Sequence, residues 1–359
     1  MTRVKVVGAS GYGGVGIIEL LLRHPEARIV TLVAQESVGA PVSELHPHLA
    51  GFCDMTIVAP DAPDALEPAD IVFMSTPDGV GMKASRAELE RGAQIIDFSG
   101  DFRFNTEAEY AEYATRIGKN PVHADPALLP LSVYGAAELH RDEINPSRKI
   151  VGNPGCFAIS CILGLAPAAA SGLVRMDSLI CDCKSGVSGA GKKLASAHHF
   201  PNRYETMNAY RLSGHQHVME IERELSRVAG TTKPSPASVL VTFTAQVVPM
   251  CRGIMSCLYG ELVRETDEAD VLALYKEFYK DSPFVRVLPS NSPAGGTSYV
   301  RGTNYANVVV SVDKRTRKLR VVSYIDNLMK GQAGSALQCM NLLRGYPETM
   351  GLCSPGFYP

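Results

Sequence analysis

No charge of either sign dominates this 359-residue chain, whose 35 Lys+Arg against 37 Asp+Glu leave a formal net charge of −2. That balance removes the reason to expect nucleic acid or an anionic membrane as a partner. Metal-ligand spacing is missing too. There is no Cys-x-x-Cys and no His-x-x-x-His, so His198, His199, His215, His217, Cys181 and Cys183 are read without a metal site. The nine cysteines are odd in number and irregularly spaced, which excludes a disulfide framework and suits a reducing, cytoplasmic setting. Met1 runs straight into the strand-like Val4–Val7, and no secretory signal is expected. Repeats and low-complexity tracts are absent, and Thr231–Pro236 reads as a surface loop. One stretch, Ile150–Val174, carries no charge at all. Its Pro154, Gly155, Pro167 and small-residue second half make it a buried helix rather than a membrane span.

What is present is an ordinary apolar share of 45% over a length that suggests two domains. In the first part, short apolar strands at Val4–Gly8, Arg28–Ala34, Ile71–Ser75, Ile95–Ser99 and Lys149–Gly152 alternate with helices. The helices are expected at Ile17–His24, Met82–Arg91 and Glu107–Ile117, and the alternation predicts a parallel, doubly wound sheet. Beyond residue 156 the expected strands lengthen and several alternate apolar with polar residues: Ser178–Lys184, Ser238–Val248, Gly253–Val263, Tyr305–Asp313 and Lys318–Ile325. This predicts an α+β domain with a mixed, largely antiparallel sheet. Helices are expected there at His217–Val228 and Ala269–Lys280, with a last one at about 331–343. The expected division is 1–153 for a dinucleotide-binding domain, completed by a C-terminal segment 326–359, and 154–325 for a catalytic and oligomerisation domain.

Chemistry concentrates at a few places. Cys156 follows Gly152-Asn153-Pro154-Gly155 and opens an apolar helical run, and a thiol at a helix start gains thiolate character from unpaired N–H groups and the helix dipole. The other eight cysteines are read as small core residues. Gly8, Ser10, Gly11, Tyr12, Gly13 and Gly14 lie between a strand and a helix, where glycine backbones and a helix N-terminus can hold a pyrophosphate. The end of the second strand, Ala34-Gln35-Glu36-Ser37, leaves NAD and NADP both open, since Glu36 suits a ribose hydroxyl and Ser37 a phosphate. Ser185, Gly186, Ser188, Gly189 and Gly191 form a second small-residue loop beside Lys192, suited to an anion or a nicotinamide. Two histidines, His215 and His217, begin a helix with Ser213 and Gln216 at capping-box spacing, and helical geometry pairs Glu220 with His217.

With Ile96–Arg103, Val248–Gly253 and Ile325–Gly331 added to these motifs, the chain resembles, nearly end to end, the N-acetyl-gamma-glutamyl-phosphate reductases, relatives of the aspartate-semialdehyde dehydrogenases. The resemblance implies a Rossmann-like domain that binds NADPH, an acyl-phosphate substrate of arginine biosynthesis, and Cys156 as nucleophile. It implies His215 as acid/base with Glu220 as its orienting carboxylate. His217 and Asn153 then meet substrate, Ser75 and Pro77 meet cofactor, and Asn327 lies near the nicotinamide. Arg103, Lys192 and Arg252 are candidates for a phosphate or carboxylate, and a homodimer or homotetramer is expected.

The chain departs from the family pattern at Phe157, Ile159, Met219, Ala245-Gln246 and Asp78, where members usually carry Tyr, Thr, Pro, Pro-His and His. These departures bear on which acyl group is recognised. Other readings of the sequence are a reductase of a carrier-linked aminoadipyl or glutamyl phosphate or of aspartyl phosphate, a zinc-dependent dehydrogenase, and a non-catalytic nucleotide-binding protein.

Overall fold

The near-continuous apolar segments of the N-terminal part assemble as one all-parallel sheet. In the computed structural model, which describes residues 1–231 and 239–358, it belongs to a unit made of Met1–Pro154 and Gln332–Cys353. Its strands are β1 (Thr2–Val7), β2 (Ala27–Val33), β3 (Ile57–Val58), β4 (Ile71–Met74), β5 (Gln94–Asp97), β6 (Ser132–Tyr134) and β7 (Ile150–Gly152). They lie in the order β3-β2-β1-β4-β5-β7-β6, every pair parallel. All four residues of β4 and of β5 are buried, as parallel strands covered by helices on both faces must be. Val72, Met74, Ile95, Phe102, Tyr110, Leu128 and Ile150 share one apolar cluster, each full burial contributing about 1.5–3 kcal/mol. Strand order reverses between β1 and β4, and the crevice beyond their C-terminal ends is where such sheets bind nucleotides.

The first helix runs Tyr12–Leu21, earlier than the expected Ile17–His24. The glycines that read as a long turn do two different jobs. The chain reverses at Gly8, whose φ of +87° lies in the left-handed region. Gly13 and Gly14 are already helical, and a Cβ on Gly14 would overlap the Gly8 carbonyl. The last helix, Gly334–Leu343, is preceded by a π turn at Met329–Ala333 and packs against Tyr12–Leu21. Strands β3 and β6, of two and three residues, carry no periodicity long enough to read.

The second unit comprises Gly155–Gly331 and Ser354–Pro359. It holds β8 (Leu179–Ser185), β9 (Asn208–Tyr210), β10 (Val241–Val247), β11 (Ile254–Glu261), β12 (Val285–Pro289), β13 (Ala306–Asp313) and β14 (Lys318–Ile325). The order is β12-β13-β14-β11-β8-β10-β9, with only β12–β13 and β8–β10 parallel. Strict alternation of buried and half-buried residues along β11 shows one covered face. Of the expected loop 231–236 and strand 238–248, residues 232–238 lie outside the described residues.

The helix Cys156–Ala170 contacts β11, β14 and the helices His217–Val228 and Glu268–Phe278, which is why it is apolar all round. At 15 residues it is too short to span a bilayer, and among the described residues no helix is long and apolar enough to do so. Pro167 inside it removes the N–H that Leu163 O would accept from. The Tyr279 hydroxyl donates to that carbonyl instead (2.7 Å), and Tyr275 donates to Gly164 O (2.9 Å).

Candidate active site

In the second unit, Cys156 is the first residue of its helix. Gly155 precedes it in extended conformation, with no side-chain cap and no acidic residue in the first turn. No residue of the helix's own first turn offsets the positive end of its dipole beside the sulfur. Glu220, fully buried, accepts from Gly155 N–H (3.0 Å) and lies 4.0 Å from His217 Nε2. A side chain at Gly155 would overlap the His217 imidazole, so that ring rests on the backbone one residue before the nucleophile. Gly331 approaches from another side, where a Cβ would stand 2.8 Å from that of Cys156.

His215 sits on the loop just ahead of the helix His217–Val228. The cap is Gln216, with no side-chain bond, so Ser213 does not close the expected capping box. Gln216 instead accepts from Arg211 (2.6 Å), itself at a left-handed φ of +50°. Phe243, Tyr210 and Phe157 surround the His215 ring at centroid distances of 4.9, 5.6 and 5.9 Å, and His217 lies at 4.7 Å. Its Nδ1 accepts from His217 N–H (3.2 Å). Burial first, then the neighbouring His217 and Arg211, push its pKa down to about 2, which keeps the imidazole neutral. This aromatic wall was not legible in the sequence, because Tyr210 lies on a three-residue polar strand and Phe243 on an ordinary one.

The neutral burial of His215 has a consequence for stability. Between its folded value and the unfolded value near 6.5, the unfolded chain binds a proton that the fold refuses, so stability falls as pH drops below about 6.5. His215→Phe is expected to flatten that decline by up to about 1.4 kcal/mol per pH unit. Urea unfolding of both proteins at pH 5 and pH 7 measures it. Equal slopes would remove His215 as a source.

Around the second glycine loop, Ser188 Oγ donates to Cys251 O (2.6 Å) and accepts from Asn327 Nδ2 (2.9 Å), while Asn327 Oδ1 accepts from Gly253 N–H (2.7 Å). Ser185 ends β8, and Gly186, Gly189 and Gly191 follow it, with Gly186 pressed on the Cys251 backbone. Arg252 is bound to the fully buried Asp326 (3.0 Å), which also accepts from Gly302 N–H (2.7 Å), so its charge is already matched within the fold. Lys192 is half-buried just beyond the loop.

In the first unit the glycine turn presents an uncapped helix end with no acidic residue in its first turn. Gly11 N–H donates to Gly8 O (3.1 Å), and Ser75 Oγ would stand 2.5 Å from a Cβ on Gly13. A turn whose Gly8 and Gly14 leave no room for a side chain, at an open helix N-terminus, fits a dinucleotide pyrophosphate. Ser10 and Tyr12 flank this turn, and Ser75 and Pro77 follow β4 on the same side of the sheet. Ser37 stands exposed after β2 at a left-handed φ of +58°. Arg103, a candidate for a phosphate or carboxylate, is buried, donating to Asn153 O (2.9 Å) and Phe98 O (3.0 Å). Asn153 is buried in this unit and donates to Gln332 O (3.0 Å).

All nine cysteines are free. Cys161 and Cys183 lie 3.4 Å apart at sulfur, and burial raises the pKa of both and of Cys181, which marks them as inert packing. Cys251 and Cys353, expected in the core, are exposed. Among the described residues no group of three or more His, Cys, Asp or Glu is placed to hold a metal.

Residues 3–147 match the family profile described as semialdehyde dehydrogenase, NAD binding domain, and residues 156–327 the one described as semialdehyde dehydrogenase, dimerisation domain. The chain is 40% identical over 357 residues to the N-acetyl-gamma-glutamyl-phosphate reductase of Pelotomaculum thermopropionicum, covering 99% of both chains. It is 41% identical over 359 residues to that of Symbiobacterium thermophilum, again covering 99% of both. The chain belongs to the N-acetyl-gamma-glutamyl-phosphate reductase family. Among solved structures its fold is similar to aspartate semialdehyde dehydrogenase II from Vibrio cholerae, with a TM-score of 0.71 at 16% identity over 96% of this chain and 99% of that one. The Candida albicans aspartate semialdehyde dehydrogenase with NADP gives a TM-score of 0.65 at 16% identity, covering 96% and 98%.

Two departures from the family pattern fall within reach of the His215 ring. Phe157 is part of its aromatic wall, and the buried Ala245 pairs directly with Tyr210 across β9 and β10. Gln246 donates to Asp182, which Lys184 also binds, on the opposite side of β10 from Ala245. Asp78 accepts from Gly100 N–H (2.9 Å) and Lys119 (2.8 Å) in the first unit.

Proposed function

We propose that this chain reduces N-acetyl-gamma-glutamyl phosphate to N-acetylglutamate semialdehyde and phosphate, a step of arginine biosynthesis, with NADPH as reductant. The observation that carries this reading is Cys156 at an uncapped helix start, with His217 and the buried Glu220 against the preceding residue, in a chain about 40% identical to reductases of that name. The Cys156 thiolate adds to the acyl carbon, the carbon–oxygen bond to phosphate breaks, and phosphate leaves with the electron pair, giving a thioester. The glycine turn would hold NADPH, which would supply the hydride that reduces this thioester. His215 carries the protons: it takes the thiol proton, gives one to the resulting alkoxide, and recovers it as the thiohemiacetal collapses to aldehyde and thiolate. Taking the first proton opens its Nδ1 contact with His217, and the negative charge of the acyl phosphate raises the basicity that burial holds down. Glu220 fixes the Gly155 peptide and the His217 ring. His217 and Lys192 serve the substrate's carboxylate and phosphate, and Asn327 with the Ser185–Gly191 loop would hold the nicotinamide end of the cofactor.

A second copy of the chain is the partner this reading assigns, as homodimer or homotetramer, on the half-exposed face of the second sheet; the profile matched by residues 156–327 is named for dimerisation. The cytoplasm is the assigned location. The test runs the purified protein backwards with NADP⁺, phosphate and a panel of aldehydes. N-acetylglutamate semialdehyde is expected to exceed aspartate semialdehyde and carrier-linked aminoadipate semialdehyde in kcat/KM by about 100-fold or more, the loss expected when a site's polar groups go unmatched. A preference for either rival would replace the substrate named here.

A further inference from the structure

Among the buried polar atoms without a hydrogen-bond partner near the C-terminal edge of the first sheet are Thr76 Oγ1, Asn153 Oδ1 and Gln332 Oε1. Asn153 is only 1% exposed. They are linked to one another and to the glycine turn. Asn153 Nδ2 donates to Gln332 O (3.0 Å), and Gln332 Nε2 would stand 2.9 Å from a Cβ on Gly13. The same Cβ would stand 2.5 Å from Ser75 Oγ, and Thr76 is the next residue. An unmatched buried polar atom is costly, and native folds retain one where a ligand or water completes it.

All three atoms can accept, and two of them, the amide oxygens, can only accept. A diphosphate offers no donor to them. Ribose hydroxyls and a carboxamide NH2 do. Position narrows the choice further. The adenosine ribose of a dinucleotide lies at the end of β2, whereas Thr76 follows β4 and Asn153 follows β7, on the other side of β1. Across β1 from the adenosine lies the second nucleoside.

We propose that Gln332, with Thr76 and Asn153, forms an acceptor pocket that positions the nicotinamide riboside of the cofactor, a role for Gln332 that its place in a π turn next to the last helix does not disclose. The inference rests on the reading that this chain uses a nicotinamide dinucleotide. Gln332 acts on orientation of the cofactor rather than on the acyl group.

The test is direct titration, by calorimetry, of NADPH and of 2′-phospho-ADP, which keeps the adenosine and diphosphate but lacks the riboside. Gln332→Met preserves the length that packs on Gly13 and removes the acceptor. It is expected to weaken NADPH about 3- to 10-fold, the range for one uncharged hydrogen bond, and to leave 2′-phospho-ADP unchanged. Equal weakening of both ligands would mean that the glutamine only shapes the glycine turn, and no weakening of either would remove it from the site. Both outcomes overturn the proposal. Thr76→Val provides a second variant with the same expected pattern. Failure of the unaltered protein to bind NADPH at all would instead overturn the nicotinamide reading itself.

Discussion

Cys156→Ser is expected to lower turnover by at least about 10³-fold, the scale of losing a covalent nucleophile, while NADPH binding stays within about 2-fold. Serine keeps the shape at the start of the Cys156–Ala170 helix, so the fold is not at issue. What changes is the nucleophile: a hydroxyl is not ionised by a helix N-terminus near neutral pH, whereas a thiol can be. The contrast with the other cysteines sharpens the expectation. Cys161, Cys181 and Cys183 lie in the core, with pKa values raised by burial. No substitution among them should reach the chemistry directly. Steady-state rates paired with calorimetric NADPH titration decide the matter. Retention of more than a few per cent of the rate would remove the thioester from the mechanism.

The second large effect separates the two histidines. His215→Asn is expected to lower kcat about 100-fold or more, the usual worth of a positioned acid/base. His217→Asn should raise KM about 10-fold and change kcat much less, because its proposed task is binding. The geometry makes this a demanding comparison. It is His217, not His215, that rests on Gly155 and faces Glu220 at 4.0 Å. His215 lies among Phe157, Tyr210 and Phe243, where burial keeps it uncharged. A pH–rate profile adds an independent readout. If the large kcat loss and the altered profile follow His217→Asn instead, the roles are reversed.

Much of this arrangement was legible in residue order. Pro154-Gly155-Cys156 announced a helix start because proline and glycine leave only a turn ahead of an apolar run, and the helix does begin at Cys156. The sheet types followed from continuous apolar strands in one half and alternating ones in the other. Other features depend on contacts between residues far apart in the chain. Ser213 looked like a cap, yet Gln216 takes that place and is held by Arg211. Arg103 and Arg252 read as candidates for a phosphate or carboxylate, and the carbonyls and buried Asp326 that hold them come from tertiary packing that spacing does not encode. Tyr210 was invisible because a three-residue strand carries no period, and Gln332 because an orphaned acceptor exists only once its neighbours are in place.

The order in which the ribosome makes this chain bears on how it reaches its native state. The all-parallel sheet is synthesised first, yet the segment Gln332–Cys353 that covers part of it comes after the whole stretch Gly155–Gly331. Vectorial synthesis therefore leaves the earlier unit without that cover until Gln332–Cys353 emerges, whereas the later unit has most of its sequence contiguous. Completion of the nucleotide-binding half in this sense waits for the helix Gly334–Leu343, made after the whole of the intervening unit.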